Sequence, residues 1–522
     1  MSVARVGSAH IVGLDAEPIT VEVDVSSGLY HFSIVGLPDK AIDESKDRII
    51  AALKNSHLQN PKTESQKVTV SLTPAQVKKE GSYFDVPIAL SYLSASKQLS
   101  LPKDIGWFVG ELSLTGEILP MMGILSIAEC AKRHGVSSLY VPYANRVEAA
   151  LVSGVTIYGC RTLQELVLHL GGAIDGVTDI IELTPQTPTE IIYKKQESFL
   201  DFKDIRGQET AKRALEIAAA GGHNIALYGP PGTVKTMLAR AFTGILPPLL
   251  RDEALEVTRI HSVTSSKTSI ITAPPFRSPH HTSSYVSLVG GGTTPKPGEV
   301  TLAHHGVLFL DEFPEFDKKV IESLREPLEE GSISVARAKG TYVFPASCTL
   351  VASMNPCPCG YMGSKLKRCI CKSSDIDRYA RKLSGPIMDR IDMWVPVQHI
   401  DYDTLTNART GEESDSIAKR VKQARDFARK RFQEKGDRKS DLRLTKNKDM
   451  RAKDLAKHVP LSLPILALMK QLATSYALSP RAYHRVLRLA RTIADIRSSH
   501  EIAEADILEA FQYRPKLYQD RL

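Results

Sequence analysis

The sequence has no apolar run that approaches the roughly 18 residues needed to span a membrane. Its first ten residues also lack the basic-then-apolar pattern of a secretory signal peptide. Aromatic residues make up only 6% of the 522 residues, against 42% hydrophobic and 24% charged residues, as is typical of soluble globular proteins. We therefore expect a cytoplasmic protein without a membrane partner and with room for about three domains.

Cysteine is scarce, and its distribution is uneven. The chain has seven cysteines, four of them within fifteen residues, which argues against a dispersed disulfide framework and favours a local site. The four form two Cys-x-Cys pairs, Cys357 with Cys359 and Cys369 with Cys371. Because four thiolates can hold Zn²⁺ tetrahedrally, the cluster favours a structural zinc knuckle, with free or redox-active thiols as the alternative.

Charge is not balanced in this chain. Its formal net charge is +8 and its pI is about 8.9, which fits a polyanionic partner, although a surplus spread over 522 residues is weak evidence by itself.

A glycine- and proline-rich loop follows the apolar stretch Ile225–Tyr228 and leads into a predicted helix, which is the context of a phosphate-binding loop. Backbone N–H groups and the helix N-terminus attract phosphate, the lysine reaches the outer phosphates, and the hydroxyl after it binds Mg²⁺. The predicted ligand is ATP. The loop consists of Gly229, Pro230, Pro231, Gly232, Thr233, Val234, Lys235 and Thr236.

Val234 departs from the usual pattern of such loops, which have glycine before the lysine. A β-branched residue tolerates neither positive φ nor the close approach of a phosphate as glycine does. This substitution keeps open the alternative of a nucleotide-locked scaffold that does not hydrolyse ATP.

Two further strands deliver polar groups. The stretch Val307–Leu310 predicts a buried parallel strand ending in Asp311, which would hold Mg²⁺, and Glu312, which would polarise the attacking water. The stretch Thr349–Met354 ends in Asn355, an amide suited to orienting that water. Arg390 is a candidate for neutralising the phosphate of a neighbouring subunit, or else a buried partner of an aspartate.

The front of the chain predicts a separate α/β domain over residues 1–172, with half-buried strands at 19–25 and 68–72 and a helix at 43–56. Segments 77–90 and 116–125 resemble the protease domain of the Lon family, an S5-type α/β fold. The nucleophile position falls near Tyr83, beside Ser82, and the lysine position falls at Leu125. The resemblance therefore implies a protease fold without the catalytic dyad.

Four segments together identify the chain as a member of the ComM/YifB family of magnesium-chelatase-like AAA+ ATPases: residues 274–282, 288–292, 355–361 and 383–392. The resemblance spans essentially the whole chain. It implies an α/β fold with a Lon-like domain (1–172), a linker (173–200), an AAA+ P-loop core (201–400) and an α-helical lid (401–522).

By that resemblance, Asn355 takes the sensor role, Arg390 the arginine-finger role and Arg481 the sensor-2 role. The resemblance also implies a homo-hexamer that acts on single-stranded or branched DNA, with ComM-type members driving branch migration during natural transformation. We interpret Arg485 and Arg488 in the lid as a solvated basic face. The predicted apolar face of the same helix consists of Ala482, Val486, Leu489 and Ile493.

Three alternatives stay open: the motor subunit of a magnesium chelatase, an ATP-dependent protease, and the nucleotide-locked scaffold. The front domain and the cysteine cluster argue against the first, and the missing dyad lysine argues against the second.

Overall fold

The computed structural model describes residues 2–37, 39–74, 79, 81–102, 104–174, 181–193, 200–265, 269–292, 295–337, 340–364, 367–399, 411–434 and 444–514. The chain forms two compact units. The front unit is Met1–Ile192 together with Arg251–Ile271, and the second unit is Tyr193–Leu250 together with Thr272–Leu522. Within the described ranges, no helix is both long and apolar enough to cross a membrane.

The front unit contains a seven-stranded mixed sheet in the order β3-β4-β2-β1-β5-β8-β9 and a small hairpin of β6 and β7. Their bounds are β1 Ser2–Val12, β2 Asp15–Ser27, β3 His31–Val35, β4 Gln66–Thr73, β5 Trp107–Phe108, β6 Glu111–Leu112, β7 Ile118–Leu119, β8 Ser138–Pro142 and β9 Thr156–Cys160.

The two strands predicted from alternating apolar residues are confirmed as β2 and β4. They pair antiparallel, with Val23 opposite Val70. Both side chains are fully buried, as are Val21 and Val68 on the same face. Successive strand residues point to opposite sides of a sheet, so a period of two places one face in the core.

Helices flank this sheet, and the predicted one at 43–56 is confirmed as Lys40–Asn55. Asp39 caps it, since its carboxylate accepts a hydrogen bond from the Ile42 N–H at 2.9 Å. The other helices of the front unit are Asp85–Ala95, Ile124–Arg133, Arg146–Ala149, Leu163–His169 and Arg251–Ser262.

The second unit contains a five-stranded, all-parallel sheet in the order β11-β14-β17-β10-β18. The strands are β10 Ile225–Tyr228, β11 Phe276–Arg277, β14 Val307–Leu310, β17 Thr349–Met354 and β18 Met393–Pro396, and two hairpins join β12 Gly290–Gly291 to β13 Lys296–Pro297 and β15 Ser332–Arg337 to β16 Gly340–Pro345. β10, the first of these strands in the chain, lies between β17 and β18, so the strand order reverses there. Ligands of open α/β sheets bind at the carboxyl ends of strands beside such a reversal.

Many of the other described residues of the second unit lie in helices, and its C-terminal part is helical as predicted. The main helices are Glu209–Gly221, Lys235–Ala241, Lys318–Ser323, Arg325–Glu330, Ser373–Ala380, Ser414–Glu434, Ala452–His458, Leu463–Ser475, Pro480–Ile496 and Glu504–Gln512; shorter ones are Tyr285–Val289, Glu299–Leu302 and Gly385–Met388.

The helix Pro480–Ile496 has the predicted apolar face, with Val486, Leu489 and Ile493 buried. The interpretation of Arg485 as part of a solvated basic face is wrong. Its side chain is buried and donates a hydrogen bond to the backbone carbonyl of Asp389. A buried guanidinium needs such acceptors, because leaving its donors unpaired is costly.

Candidate nucleotide-binding site

The predicted phosphate-binding loop lies directly between β10 and the helix Lys235–Ala241. The strand residues Ile225 to Leu227 are fully buried, which fixes the start of the loop at the carboxyl edge of the sheet. Gly229 has no room for a side chain, since a Cβ there would lie 2.0 Å from the carbonyl oxygen of Val397. Gly232 has a φ of +75°, which favours glycine.

Val234, in contrast, has an ordinary backbone conformation, with φ −63° and ψ 31°. Its carbonyl accepts a hydrogen bond from the N–H of Leu238 at 2.9 Å, so it already takes part in the first turn of the helix. Positive φ is therefore not required at this position. The backbone argument against valine does not apply, and only the bulk of the side chain distinguishes it from glycine.

Lys235 points into the loop and is buried. Its Nζ donates to the carbonyl oxygens of Gly229 and Pro230, both at 2.8 Å, and to Oγ1 of Thr233 at 3.2 Å. Burial lowers the pKa of Lys235 to about 8, although the nearby Asp311 carboxylate acts to raise it. The ammonium group of Lys235 is thus surrounded by oxygen acceptors of the loop. Phosphate oxygens bound there would be stronger acceptors than these carbonyls.

The two predicted Mg²⁺ ligands meet at the end of β14. Thr236 Oγ1 donates to Asp311 Oδ2 at 3.0 Å, and Asp311 Oδ1 accepts from the N–H of Glu312 at 3.0 Å. A hydroxyl and a carboxylate side by side are the hard oxygen donors that Mg²⁺ takes alongside phosphate oxygens and water. The donor set fits this ion.

Glu312 follows at a φ of +52° and is about half exposed. One of its oxygens lies 3.3 Å from Nδ1 of His281, which comes from the segment after β11. The contact between His281 and Glu312 was not predicted from the sequence. A signal was available, because His281 belongs to one of the four segments that carried the family resemblance.

Asn355 lies where the sequence predicted it, at the carboxyl end of β17, which neighbours β10 in the sheet. Its Oδ1 accepts a hydrogen bond from Lys235 Nζ at 3.4 Å. The sheet therefore brings Lys235, Thr236, Asp311, Glu312 and Asn355 to one edge. Their roles in hydrolysis stay predictions.

Arg390 lies at the opposite end of the sheet, near the amino ends of the strands. It precedes β18, whose first residue, Met393, is in register with Ile225 at the start of β10. The backbone carbonyl of Arg390 accepts from Nδ2 of Asn224 at 3.0 Å. The loop that begins at Gly229 follows the far end of β10, so a four-residue strand, about 13 Å long, separates the two positions.

Glu329 joins the two predicted catalytic arginines. Its carboxylate bonds Nη2 of Arg390 and lies 3.5 Å from Nη2 of Arg481. Arg390 also donates to the carbonyls of Pro386 at 2.7 Å and Arg325 at 3.2 Å. Arg481, on the helix Pro480–Ile496, is therefore near Arg390. No pattern in the sequence pointed to Glu329 as their common partner.

The four clustered cysteines converge. Cys357 Sγ lies 3.4 Å from Cys359 Sγ and 3.7 Å from Cys369 Sγ, and Cys371 Sγ accepts from the N–H of Cys359 at 3.3 Å. All four sulfurs lie within 4.8 Å of one another and none is in a disulfide. Zn–S bonds of about 2.3 Å place the sulfurs of a tetrahedron about 3.8 Å apart, so the spacing fits zinc. Lys365, a basic residue between the two cysteine pairs, lies outside the described residues.

In the front unit, the residues at the positions compared with the Lon catalytic dyad make other contacts or are buried. Tyr83 shares a hydrogen bond with Nδ1 of His10 at 2.8 Å, and the Ser82 hydroxyl donates to Glu111. Leu125 is fully buried in the helix Ile124–Arg133.

Three family models match the chain. The model described as magnesium chelatase, subunit ChlI, matches residues 201–405; subunit ChlI of Mg-chelatase matches 21–145; and magnesium chelatase, subunit ChlI C-terminal, matches 411–514.

Individual relatives match over the whole length. Competence protein ComM of Haemophilus influenzae is 38% identical over 523 residues, covering 98% of each chain. The uncharacterized protein YifB of Salmonella typhimurium is 38% identical over 518 residues, covering 98% of this chain and 97% of the relative. The DNA replication licensing factor Mcm2 of Drosophila melanogaster is 26% identical over 215 residues, which cover 38% of this chain and 21% of that protein. With these matches and the loop described above, the chain belongs to the ComM/YifB family of magnesium-chelatase-like AAA+ ATPases, motors that use ATP and Mg²⁺.

Proposed function

We propose that this ATPase acts as a ring of six identical subunits that couples ATP hydrolysis to DNA remodelling, through branch migration or helicase activity. The observation that carries the proposal is the full-length similarity to a competence protein, ComM. Two weaker observations agree with it: the partial similarity to a DNA replication factor and the net charge of +8, which suits a phosphate backbone.

In this mechanism the chain's residues divide the work at one sheet edge. The loop and Lys235 hold the phosphates of ATP, while Thr236 and Asp311 hold Mg²⁺, which neutralises phosphate charge when bound. Glu312 polarises the attacking water, and Asn355 orients it near the γ-phosphate.

The position of Arg390 supports the proposed ring. Since about 13 Å of strand separates it from its own phosphate loop, we infer that it serves the nucleotide of a neighbouring subunit. Arg481, held by the same carboxylate, would face the same neighbour. Each active site is then incomplete without a second copy of the chain.

The experiment is to measure ATPase rate with and without single-stranded and three- or four-way branched DNA, and conversion of a labelled junction. We expect DNA to bind with little sequence preference, to lose affinity steeply with salt and to raise the ATPase rate. Conversion should require hydrolysable ATP. No binding at low salt and no stimulation would contradict the proposal.

Two variants separate the motor from the nucleotide-locked scaffold. Glu312→Gln should bind ATP and DNA but not turn over, because the metal site survives while water activation is lost. Glu315→Gln is the matched control, since Glu315 pairs with Lys382 at 2.8 Å. A parent protein as inactive as Glu312→Gln would favour the scaffold.

A second candidate function is that of a chelatase motor subunit, which drives metal insertion into a porphyrin through a partner. All three matching family models carry the chelatase subunit's description, including the one over residues 21–145. The prediction that the front domain argues against a chelatase function is therefore not supported. Stimulation of hydrolysis by a porphyrin-carrying protein, but not by DNA, would favour it.

We also infer that the cysteine cluster holds one Zn²⁺ per chain, because four thiols stand at tetrahedral spacing in this structure. Elemental analysis of purified protein should find about one zinc, and Cys357→Ser or Cys371→Ser should each lower it. Cys348→Ala, at a buried thiol outside the cluster, should leave it unchanged. Metal-free protein with four readily alkylated thiols would exclude the site.

A further inference from the structure

The zinc-type cluster belongs to a short segment that contacts the nucleotide site. We call the described residues 357–364 and 367–371 the cysteine knuckle. It begins two residues after Asn355, whose Oδ1 accepts a hydrogen bond from Lys235 Nζ at 3.4 Å. The knuckle is thus connected through the chain itself to the residue predicted to orient water.

The knuckle also lies directly against the phosphate-binding loop. Gly360 has a φ of +83°, and a Cβ added there would lie 2.6 Å from Cδ and 3.2 Å from Cγ of Pro231. Real Cβ atoms do not approach other atoms as closely as 2.6 Å, so the Pro231 ring occupies the space that a side chain at residue 360 would need. Pro231 is part of the loop that holds phosphate.

Cys357 holds the turn that places Gly360, through its backbone carbonyl and its sulfur atom. The N–H of Gly360 donates to the Cys357 carbonyl at 2.9 Å, and the N–H of Met362 donates to Cys357 Sγ at 3.4 Å. The segment has little apolar core of its own, since Ile370 is 81% exposed. Small segments of this kind depend on a metal for their fold, and hydrogen bonds to the ligands orient the metal shell.

We propose that zinc bound in the cysteine knuckle holds the phosphate-binding loop in its binding shape, so that zinc occupancy sets the affinity for nucleotide. This inference rests on the proposed zinc site and on the ATP site. Loss of zinc releases the turn at Gly360, and with it the contact on Pro231.

The first test compares Gly360→Ala with Gly363→Ala. Both glycines lie in the knuckle at similar φ, +83° and +75°, but a Cβ at Gly363 meets nothing within 4 Å. Both variants therefore have the same backbone strain, and only one pushes on Pro231. We expect Gly360→Ala to retain zinc and to bind a fluorescent ATP analogue with Mg²⁺ about tenfold more weakly than Gly363→Ala. Equal affinities, with zinc retained in both, would overturn the inference.

The second test removes zinc from the parent with a pyridyl chelator that takes up Zn²⁺ in preference to Mg²⁺. Zinc content and the affinity for the same ATP analogue are measured before removal, after removal and after zinc is returned. We expect affinity to fall and recover with zinc content. Unchanged affinity of folded, zinc-depleted protein would overturn the coupling while leaving the ATP site intact. This test also decides the matter if Gly360→Ala loses zinc or fails to fold.

Discussion

At the scale of single residues, Val234 shows how a local conformation can differ from the expectation that a motif raises. The usual glycine before the lysine suggested a position that needs unusual φ. The structure places Val234 at φ −63°, already within the first turn of a helix. The remaining difference from glycine is the volume of an isopropyl side chain beside the loop that is predicted to hold phosphate.

Val234→Gly should bind ATP at least as tightly as the parent. Glycine removes bulk near the phosphates, and it is a better residue than valine immediately before a helix, so stability should not suffer. Affinity for a fluorescent ATP analogue measures the effect, with Lys235→Ala as the variant that should lose binding. Weaker binding by Val234→Gly would show that the valine side chain supports the loop.

His281 is the second residue whose role emerges only in the folded chain. It contacts the carboxylate of Glu312 at 3.3 Å, so we expect it to orient that group. His281→Ala should lower the maximal ATPase rate by about tenfold, the cost typical of losing an orienting partner, with little change in ATP affinity.

His280→Ala is the matched control for this prediction. His280 neighbours His281, but its Nδ1 shares a hydrogen bond with Thr282 Oγ1 at 2.9 Å. The control should keep the parent's rate. A loss of ATP affinity in His281→Ala, with no change in maximal rate, would assign the histidine to binding and not to Glu312.

At the scale of elements, a buried polar contact connects the nucleotide sheet to the C-terminal helices. His223, just before β10, bonds through Nε2 to Thr492 Oγ1 at 2.7 Å, and the Thr492 hydroxyl also accepts from Asn447. Full burial lowers the pKa of His223 to about 4, although Asp392 acts to raise it. Burial therefore favours the neutral imidazole in the folded chain.

This contact predicts acid sensitivity with a defined sign. Between pH 6.5 and about 4 the unfolded chain protonates His223 while the folded chain does not. The free energy of unfolding should therefore fall as pH drops through this window, by up to about 3 kcal/mol. His223→Gln retains a donor for Thr492 but does not titrate, so its stability should depend less on pH. Urea unfolding of both proteins from pH 7.5 to 4.5 checks the prediction, and equal slopes would contradict it.

The sequence was most informative about strands and helices. Apolar strands ending in polar residues predicted β10, β14 and β17, and their parallel alignment brings Lys235, Asp311 and Asn355 together without further information. Contacts between distant segments were not predictable. The burial of Arg485 and the meeting of Glu329 with Arg390 depend on how helices pack after the sheet has formed, and no local period of the sequence encodes that packing.

At the scale of the whole molecule, the placement of Arg390 predicts complementation between defective subunits. Arg390→Ala should bind ATP but lose hydrolysis, because in the proposed ring the arginine acts on a neighbour's transition state. The double variant Asp311→Asn, Glu312→Gln should be inactive as well. Mixing the two should restore part of the ATPase rate, wherever an intact loop meets an intact arginine.

Arg378→Ala provides the control, since Arg378 is an exposed residue of the helix Ser373–Ala380. It should hydrolyse ATP as the parent does. Activity of Arg390→Ala equal to that of the parent would exclude the proposed role. Mixtures without any recovered rate, from variants that still assemble, would exclude a shared site.

Glu329 adds a property that neither arginine has alone. Its carboxylate is 46% exposed, whereas the Arg390 side chain is 12% exposed and also donates to two backbone carbonyls. In the proposed ring, a neighbour's phosphate would compete with Glu329 for Arg390, and if Arg390 turns to the phosphate, Glu329 has only Arg481 as a partner. Glu329 would thus act as a counter-ion shared by the two arginines. Through it, a phosphate bound to one subunit would alter the electrostatic environment of Arg481, on the helix Pro480–Ile496 of the next subunit.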